Sequence, residues 1–185
     1  ADGEGVLHAV FDHRWTGGAD LPADVDVGYA RSEDGGTSWS GFQPILDFDV
    51  NVPGSSGNGV GDPAILWDPV TDTLWVAALW SFGDGGLSWS PPINVTVDVK
   101  DDPNWRLIFQ GPGHGLAMRD GTLVFPSQYI NASGVVRMCS VYSSDHGATW
   151  DFGSGIPDSS PQTNENTVCE LDDGRLLFSG RTPSG

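Results

Sequence analysis

Fixed positive charge is scarce in this chain: of its 185 residues, one is Lys and seven are Arg. Each guanidinium can therefore be traced individually, and its planar fork suits a carboxylate better than a Lys ammonium does. Arg14 precedes a Gly-rich loop, Gly17-Gly18-Ala19-Asp20-Leu21-Pro22, while Arg181 follows Glu165 by sixteen residues. Glu is rare as well, with four in the chain, and Glu165 lies between Asn164 and Asn166 just before a strand-like segment. Carboxylates held against a substrate act as general acids or bases. Each residue also has a plainer role open to it. Asp20 reads equally as a turn Asp, with Asp24 and Asp26 as neighbouring competitors. Glu165 reads as a solvated loop carboxylate, and Arg181 as a surface Arg beyond a strand.

The chain has 25 Asp and Glu against 8 Lys and Arg, for a formal charge of −17. That balance argues against nucleic acid and anionic membranes as partners, although acidity for solubility alone explains it too. The longest apolar runs are only strand-sized, so no membrane insertion is expected. A secreted, periplasmic or cell-surface chain with its leader removed would look like this. Cys139 and Cys169 lie in apolar strand-like segments and are expected as two buried free thiols ahead of a disulfide. Neither has the spacing of a metal site, and no cofactor or metal is expected.

Twenty-six Gly and thirteen Pro, with no 3.6-residue apolar stripe, point to an all-β chain without helices. Strand pairs are expected at Val6–Phe11 with Val25–Ala30 and at Ala64–Trp67 with Leu74–Trp80. Others are expected at Leu116–Met118 with Thr122–Phe125, followed by Val135–Tyr142, and at Thr167–Leu171 with Arg175–Ser179. A repeat decides the architecture. Residues 32–39 (Ser-Glu-Asp-Gly-Gly-Thr-Ser-Trp) and 143–150 (Ser-Ser-Asp-His-Gly-Ala-Thr-Trp) share Ser-x-Asp-x-Gly-x-Ser/Thr-Trp, and 82–89 is a degraded copy with Phe82 in place of Ser. The Asp carboxylate can accept turn N–H bonds, Gly supplies positive φ, the hydroxyl closes the loop, and Trp packs between strands. The three Asp lie 50 and 61 residues apart, the scale of one propeller blade.

With these Asp boxes, the sequence resembles the bacterial-type sialidases (exo-α-neuraminidases). The likeness also runs through Phe11-Asp12-His13-Arg14, Gly61-Asp62-Pro63-Ala64, Gly111-Pro112-Gly113-His114-Gly115, Thr122-Leu123-Val124-Phe125-Pro126 and the stretch from Asn164-Glu165-Asn166 to Arg181. The resemblance implies a six-bladed β-propeller of which residues 1–185 cover about three blades, and removal of terminal sialic acid from sialylated glycans with retention. Sialic acid carries a carboxylate on its anomeric carbon, so the family uses a Tyr nucleophile activated by Glu in place of an anionic one. By position, Asp20 would be the acid/base, Glu165 the base that polarises the Tyr, and Arg181 one of three Arg holding the substrate carboxylate. Arg14 would line the pocket near the ring hydroxyls, and Asp62 would face the substrate from the next blade.

Gln128 and Trp80 would stand near blade ends, where they could line the pocket. Arg31 and Arg137 read as structural, and His114 as a turn residue. The family's first Arg belongs upstream of Ala1, and its third Arg and the Tyr beyond Gly185; Tyr29, Tyr129 and Tyr142 lack the right context. The stretch between Trp80 and Asp84 is also short for the family. The remainder of the propeller is thus expected to complete the site, and this stretch alone to be inactive. A non-catalytic Asp-box propeller binding glycans or proteins is the competing reading, since Asp boxes themselves mark architecture and not chemistry.

Overall fold

The computed structural model describes residues 1–15, 17–19, 23–47, 59–78, 80–83 (backbone), 93–157 and 161–182. Strands β1 (Leu7–Arg14), β2 (Val25–Ser32) and β3 (Gln43–Leu46) form a first antiparallel sheet. A second contains β4 (Ala64–Asp68), β5 (Thr73–Ala78) and β6 (Trp80–Gly83), followed by a single helical turn, α1 (Thr96–Val99). The third is built from β7 (Leu107–Gln110), β9 (Leu116–Ala117), β10 (Leu123–Ile130), β11 (Val136–Ser143) and β12 (Asp151–Phe152). Between β7 and β9, the two-residue β8 (Gly113–His114) leaves this sheet and pairs in parallel with β4. A hairpin of β13 (Asn164–Glu170) and β14 (Leu176–Arg181) makes the fourth.

The sheets stack face to face in chain order. Val27, Leu46, Val60, Val76 and Ala78 form the core between the first and second. Leu66, Leu123, Phe125, Tyr129, Val141 and Trp150 belong to the larger core around the second and third. Central strands β2 and β10 are buried at almost every position instead of alternating. A strand reads that way when both of its own faces are covered, and over Gly28 of β2 the cover comes from the rings of Phe11 and Phe42.

The two complete Asp boxes are nearly superimposable in their bonding. In the first, Asp34 accepts from Ser32 Oγ (2.8 Å), Ser38 N (2.8 Å) and Ser38 Oγ (2.6 Å), while Gly36 N donates to Ser32 Oγ (2.9 Å). In the second, Asp145 accepts from Ser143 Oγ (2.8 Å), Thr149 N (2.8 Å) and Thr149 Oγ1 (2.7 Å), and Gly147 N donates to Ser143 Oγ (2.8 Å). Donation from Ser38 and from Thr149 holds the carboxyls of Asp34 and Asp145 at about 2. The second box is also bolted to its neighbour. His146, at φ +58°, places Nδ1 3.0 Å from Asp68 Oδ2 in the β4–β5 turn, and Trp150 meets Trp75 edge-on at 5.6 Å.

Some expectations need correcting. Trp150 is buried as expected, but Trp39 is 46% exposed. Trp150 rests on the preceding sheet, and among the described residues the first sheet has no preceding one. Cys139 is buried, and burial raises its thiol pKa, but Cys169 is exposed on β13; both are free. His114 belongs to a strand, not a turn. The stretch after β5 holds β6, paired directly to it from Ala78↔Trp80 to Trp75↔Gly83, and the degraded box from Asp84 onward lies outside the described residues. Helix α1 and strands β3, β7 and β12 were not expected. Each is four residues or fewer, too short to show a period.

Two outcomes follow from these contacts. A Cβ on Gly147 (φ +88°) would lie 2.1 Å from Trp75 Cζ2, whereas one on Gly174 (φ +83°) would meet nothing within 4 Å. Gly147→Ala should therefore cost about 2–4 kcal/mol in urea unfolding, and Gly174→Ala about 1 kcal/mol. The Asp34 and Asp145 carboxyls have folded pKa values below their unfolded ones, so their stabilisation is intact above about pH 4 and is lost as pH falls through about 2. The melting temperature should fall more steeply between those limits in the parent chain than in Asp145→Asn.

Candidate functional site

Register separates the two ends of the sheets. On the β1–β2 hairpin, Arg14 opposes Val25 at one end, while Ser32, which opens the first Asp box, opposes Leu7 at the other. On β10–β11, Ser143 opens the second box opposite Leu123, and the far end is Ile130↔Val136. The chain enters β13 at that far end, where Thr163 N bonds Val136 O and Thr163 Oγ1 accepts from Met138 N at 3.0 Å. Arg14 and the Asn164–Arg181 end of the last hairpin thus each lie away from the Asp box of their own part of the fold.

A β-bulge presents Glu165. Asn164 pairs with Arg181 and Asn166 with Gly180, which leaves Glu165 as the extra residue. Bulges re-aim one side chain without ending the strand. Here Glu165 Oε2 lies 3.1 Å from Arg181 Nη1, while Arg181 Nε donates to Asn164 Oδ1 at 3.2 Å. The side chains are 46% and 61% exposed, so the pair contributes only about 0–1 kcal/mol to stability. Support comes from the third sheet. Glu165 N donates to Gln128 Oε1 (3.2 Å), and Asn166 Nδ2 donates to Ser127 O (2.8 Å). Gly111 runs directly beneath, and any Cβ there would lie 2.7 Å from the Asn166 carbonyl oxygen.

Arg14 and Asp62 are drawn together through Asp12. Arg14 donates to Asp12 Oδ2 (3.2 Å) and to Gly18 O (2.9 Å), and Asp62 N donates to Asp12 Oδ1 (2.9 Å). Gln110 Nε2 then donates to Asp62 O at 2.7 Å. Since Gln110 precedes Gly111, one run of contacts leads from Arg14 through Asp12, Asp62, Gln110 and Gly111 to the Glu165–Arg181 bulge. Asp20 lies outside the described residues. Its competitor Asp26 is buried and accepts the Trp15 indole N–H at 2.6 Å, and burial raises its carboxyl pKa. Asp12, Gln110 and Asn166 are the supporting residues that the sequence did not single out. Gln128 is buried and reaches Glu165 through the backbone.

No group of three or more His, Cys, Asp or Glu able to hold a metal is present among the described residues. Two open cavities of about 540 and 470 Å³ lie elsewhere, the first lined by His8, Trp67, Leu74 and His114, the second by Asp102, Trp105 and Tyr129. Arg31 pairs with Glu33 beside its Asp box, and the buried Arg137 donates to Val136 O, in keeping with structural roles.

A family model described as a BNR repeat-like domain matches residues 4–184. The chain belongs to this family. Among curated relatives, it is 36% identical to a sialidase of Bacteroides fragilis over 98% of its length and 38% of that protein's. With a sialidase of Micromonospora viridifaciens it shares 32% identity over 96% of its length and 31% of that protein's. It spans about a third to a half of the length of four curated sialidases that it matches over nearly all of its own length. Among solved structures, the Hadza microbial sialidase Hz136 superposes with a TM-score of 0.89 at 34% identity, over all of this chain and 41% of that one. A Trypanosoma rangeli sialidase mutant gives 0.78 at 20% identity, over 98% of this chain and 33% of that one, and speaks to the fold alone. The stacked sheets are blades of a sialidase-type β-propeller, and this chain covers part of it.

The close passage at Gly111 is open to test. Gly111→Ala should push the Asn166 backbone away by overpacking worth about 1–2 kcal/mol, read as roughly tenfold faster amide exchange at Glu165 and Asn166.

Proposed function

We propose that this chain is the part of an exo-α-sialidase propeller that carries the acid/base Asp20, the base Glu165, and Arg181 as one anchor for the substrate carboxylate. The observation that carries the reading is the Glu165–Arg181 pair on its bulge. A guanidinium beside a carboxylate gives both groups the reaction needs in one place: a fork for the sialic acid carboxylate and a base for a neutral nucleophile. Exposure of both suits an open site whose other wall comes from elsewhere. Arg14 and Asp62 line the same pocket from the first and second blades and bind the sugar's polar groups.

The substrates are terminal sialic acids on glycoconjugates, as the names of the similar sialidases suggest, and the protein works outside the cytoplasm. Among the described residues no helix is long and apolar enough to cross a membrane. The nucleophilic Tyr and two further Arg come from additional blades. Exposed Phe11 on β1 with Phe42 packed beside it, and Leu177 on the last hairpin, support this reading, because these are faces a neighbouring blade would cover.

The test is turnover of a fluorogenic sialoside by the complete polypeptide. Asp20→Ala and Glu165→Gln should each lower kcat by about 10²–10⁴-fold. Arg181→Met should raise KM about tenfold or more, as loss of a charge-assisted bond predicts. Sialoside binding without turnover, unchanged by Asp20→Ala, would instead support the non-catalytic glycan-binding propeller.

A further inference from the structure

Asp62 holds an uncommon backbone conformation, φ +53°, in the segment that leads into β4. Gly adopts this region freely, and a side chain there is retained at a conformational cost. Strain of this sort persists only where the surroundings over-determine it. At Asp62 they do so from two other blades. Asp12, on β1, accepts the Asp62 N–H at 2.9 Å, and Gln110, on β7, donates to the Asp62 carbonyl at 2.7 Å. These partners lie 50 and 48 residues away in sequence, so neither bond belongs to a local turn. Gln110 is itself buried, which fixes its amide between the sheets.

We infer that Asp12 and Gln110 are positioning residues that clamp Asp62 by its backbone and so aim its carboxylate into the sialoside pocket. The inference rests on the proposed sialidase reading, in which Asp62 touches the sugar. Asp12 serves twice, because its second oxygen holds Arg14 at 3.2 Å. One carboxylate thereby sets the spacing between two pocket residues on adjacent blades. Gln110 completes the grip without touching substrate.

The experiment is a double-mutant cycle in the complete polypeptide, with a fluorogenic sialoside and amide hydrogen exchange as separate readouts. Gln110→Ala should raise KM about tenfold, with kcat changed less than about threefold, as loss of a bond that acts only through substrate binding predicts. In an Asp62→Ala background the same substitution should change KM less than about twofold, because the residue it positions is gone. Asp12→Asn retains the oxygen that accepts the Asp62 N–H, so exchange at that amide should stay slow, whereas Asp12→Ala should speed it about tenfold. Equal KM effects of Gln110→Ala in both backgrounds would overturn the clamp and assign Gln110 to general stability. Unchanged exchange at Asp62 in Asp12→Ala would overturn it as well. Absence of turnover in the parent polypeptide would defeat the sialidase reading instead, and the exchange data would still decide the clamp.

Discussion

The central strands β2 and β10 are buried at almost every position, and that constraint governs the rest of the structure. A strand so buried needs cover on both faces, and for β2 it comes from the second sheet on one side and from the Phe11 and Phe42 rings over Gly28 on the other. Burying one sheet face on the next gives a stack, and right-handed sheet twist turns the stack into a wheel of blades. The same logic explains exposed Phe11 of β1 and Phe42 packed beside it, which lie on a face with no neighbouring sheet among the described residues.

The two rims solve different problems. At one, each Asp box closes on itself: hydroxyl, carboxylate and backbone N–H saturate one another within eight residues, so the turn is stable wherever it is placed. The second box adds a bond between blades, His146 to Asp68. At the other rim, beside pairs made within one sheet such as Arg14 with Asp12 and Glu165 with Arg181, several bonds run between blades. Asp12 to Asp62, Gln110 to Asp62, Gln128 to Glu165 and Ser127 to Asn166 each join a side chain of one sheet to the backbone of another.

The share of this that was legible follows from range. Asp boxes could be read because all their partners lie within a few residues, and hairpins such as Arg119-Asp120-Gly121 because turn chemistry is local. Strand ends were less legible. β10 was expected over Thr122–Phe125 but runs Leu123–Ile130 through Pro126, because β11 pairs along its whole length and overrides the local break. Cys169 reads as buried from its apolar neighbours, yet on β13 it alternates onto the open face with Glu165 and Thr167. Asp12 and Gln110 carried no local signal of their purpose, since each partners a residue about fifty positions away.

By itself, the sequence determined the all-β class, the Asp-box turns, their blade-scale spacing, and Glu165 and Arg181 as the charged residues flanking one hairpin. Those properties rest on composition and on contacts within a turn or a strand pair. Tertiary structure alone decided that Glu165 is the extra residue of a bulge, that its amide hangs from Gln128, and that Asp62 is held in a left-handed conformation between two other blades. The physical reason is that a single hydrogen bond across fifty residues leaves no periodicity behind it. Only the packing of one sheet on another brings its two ends within 3 Å.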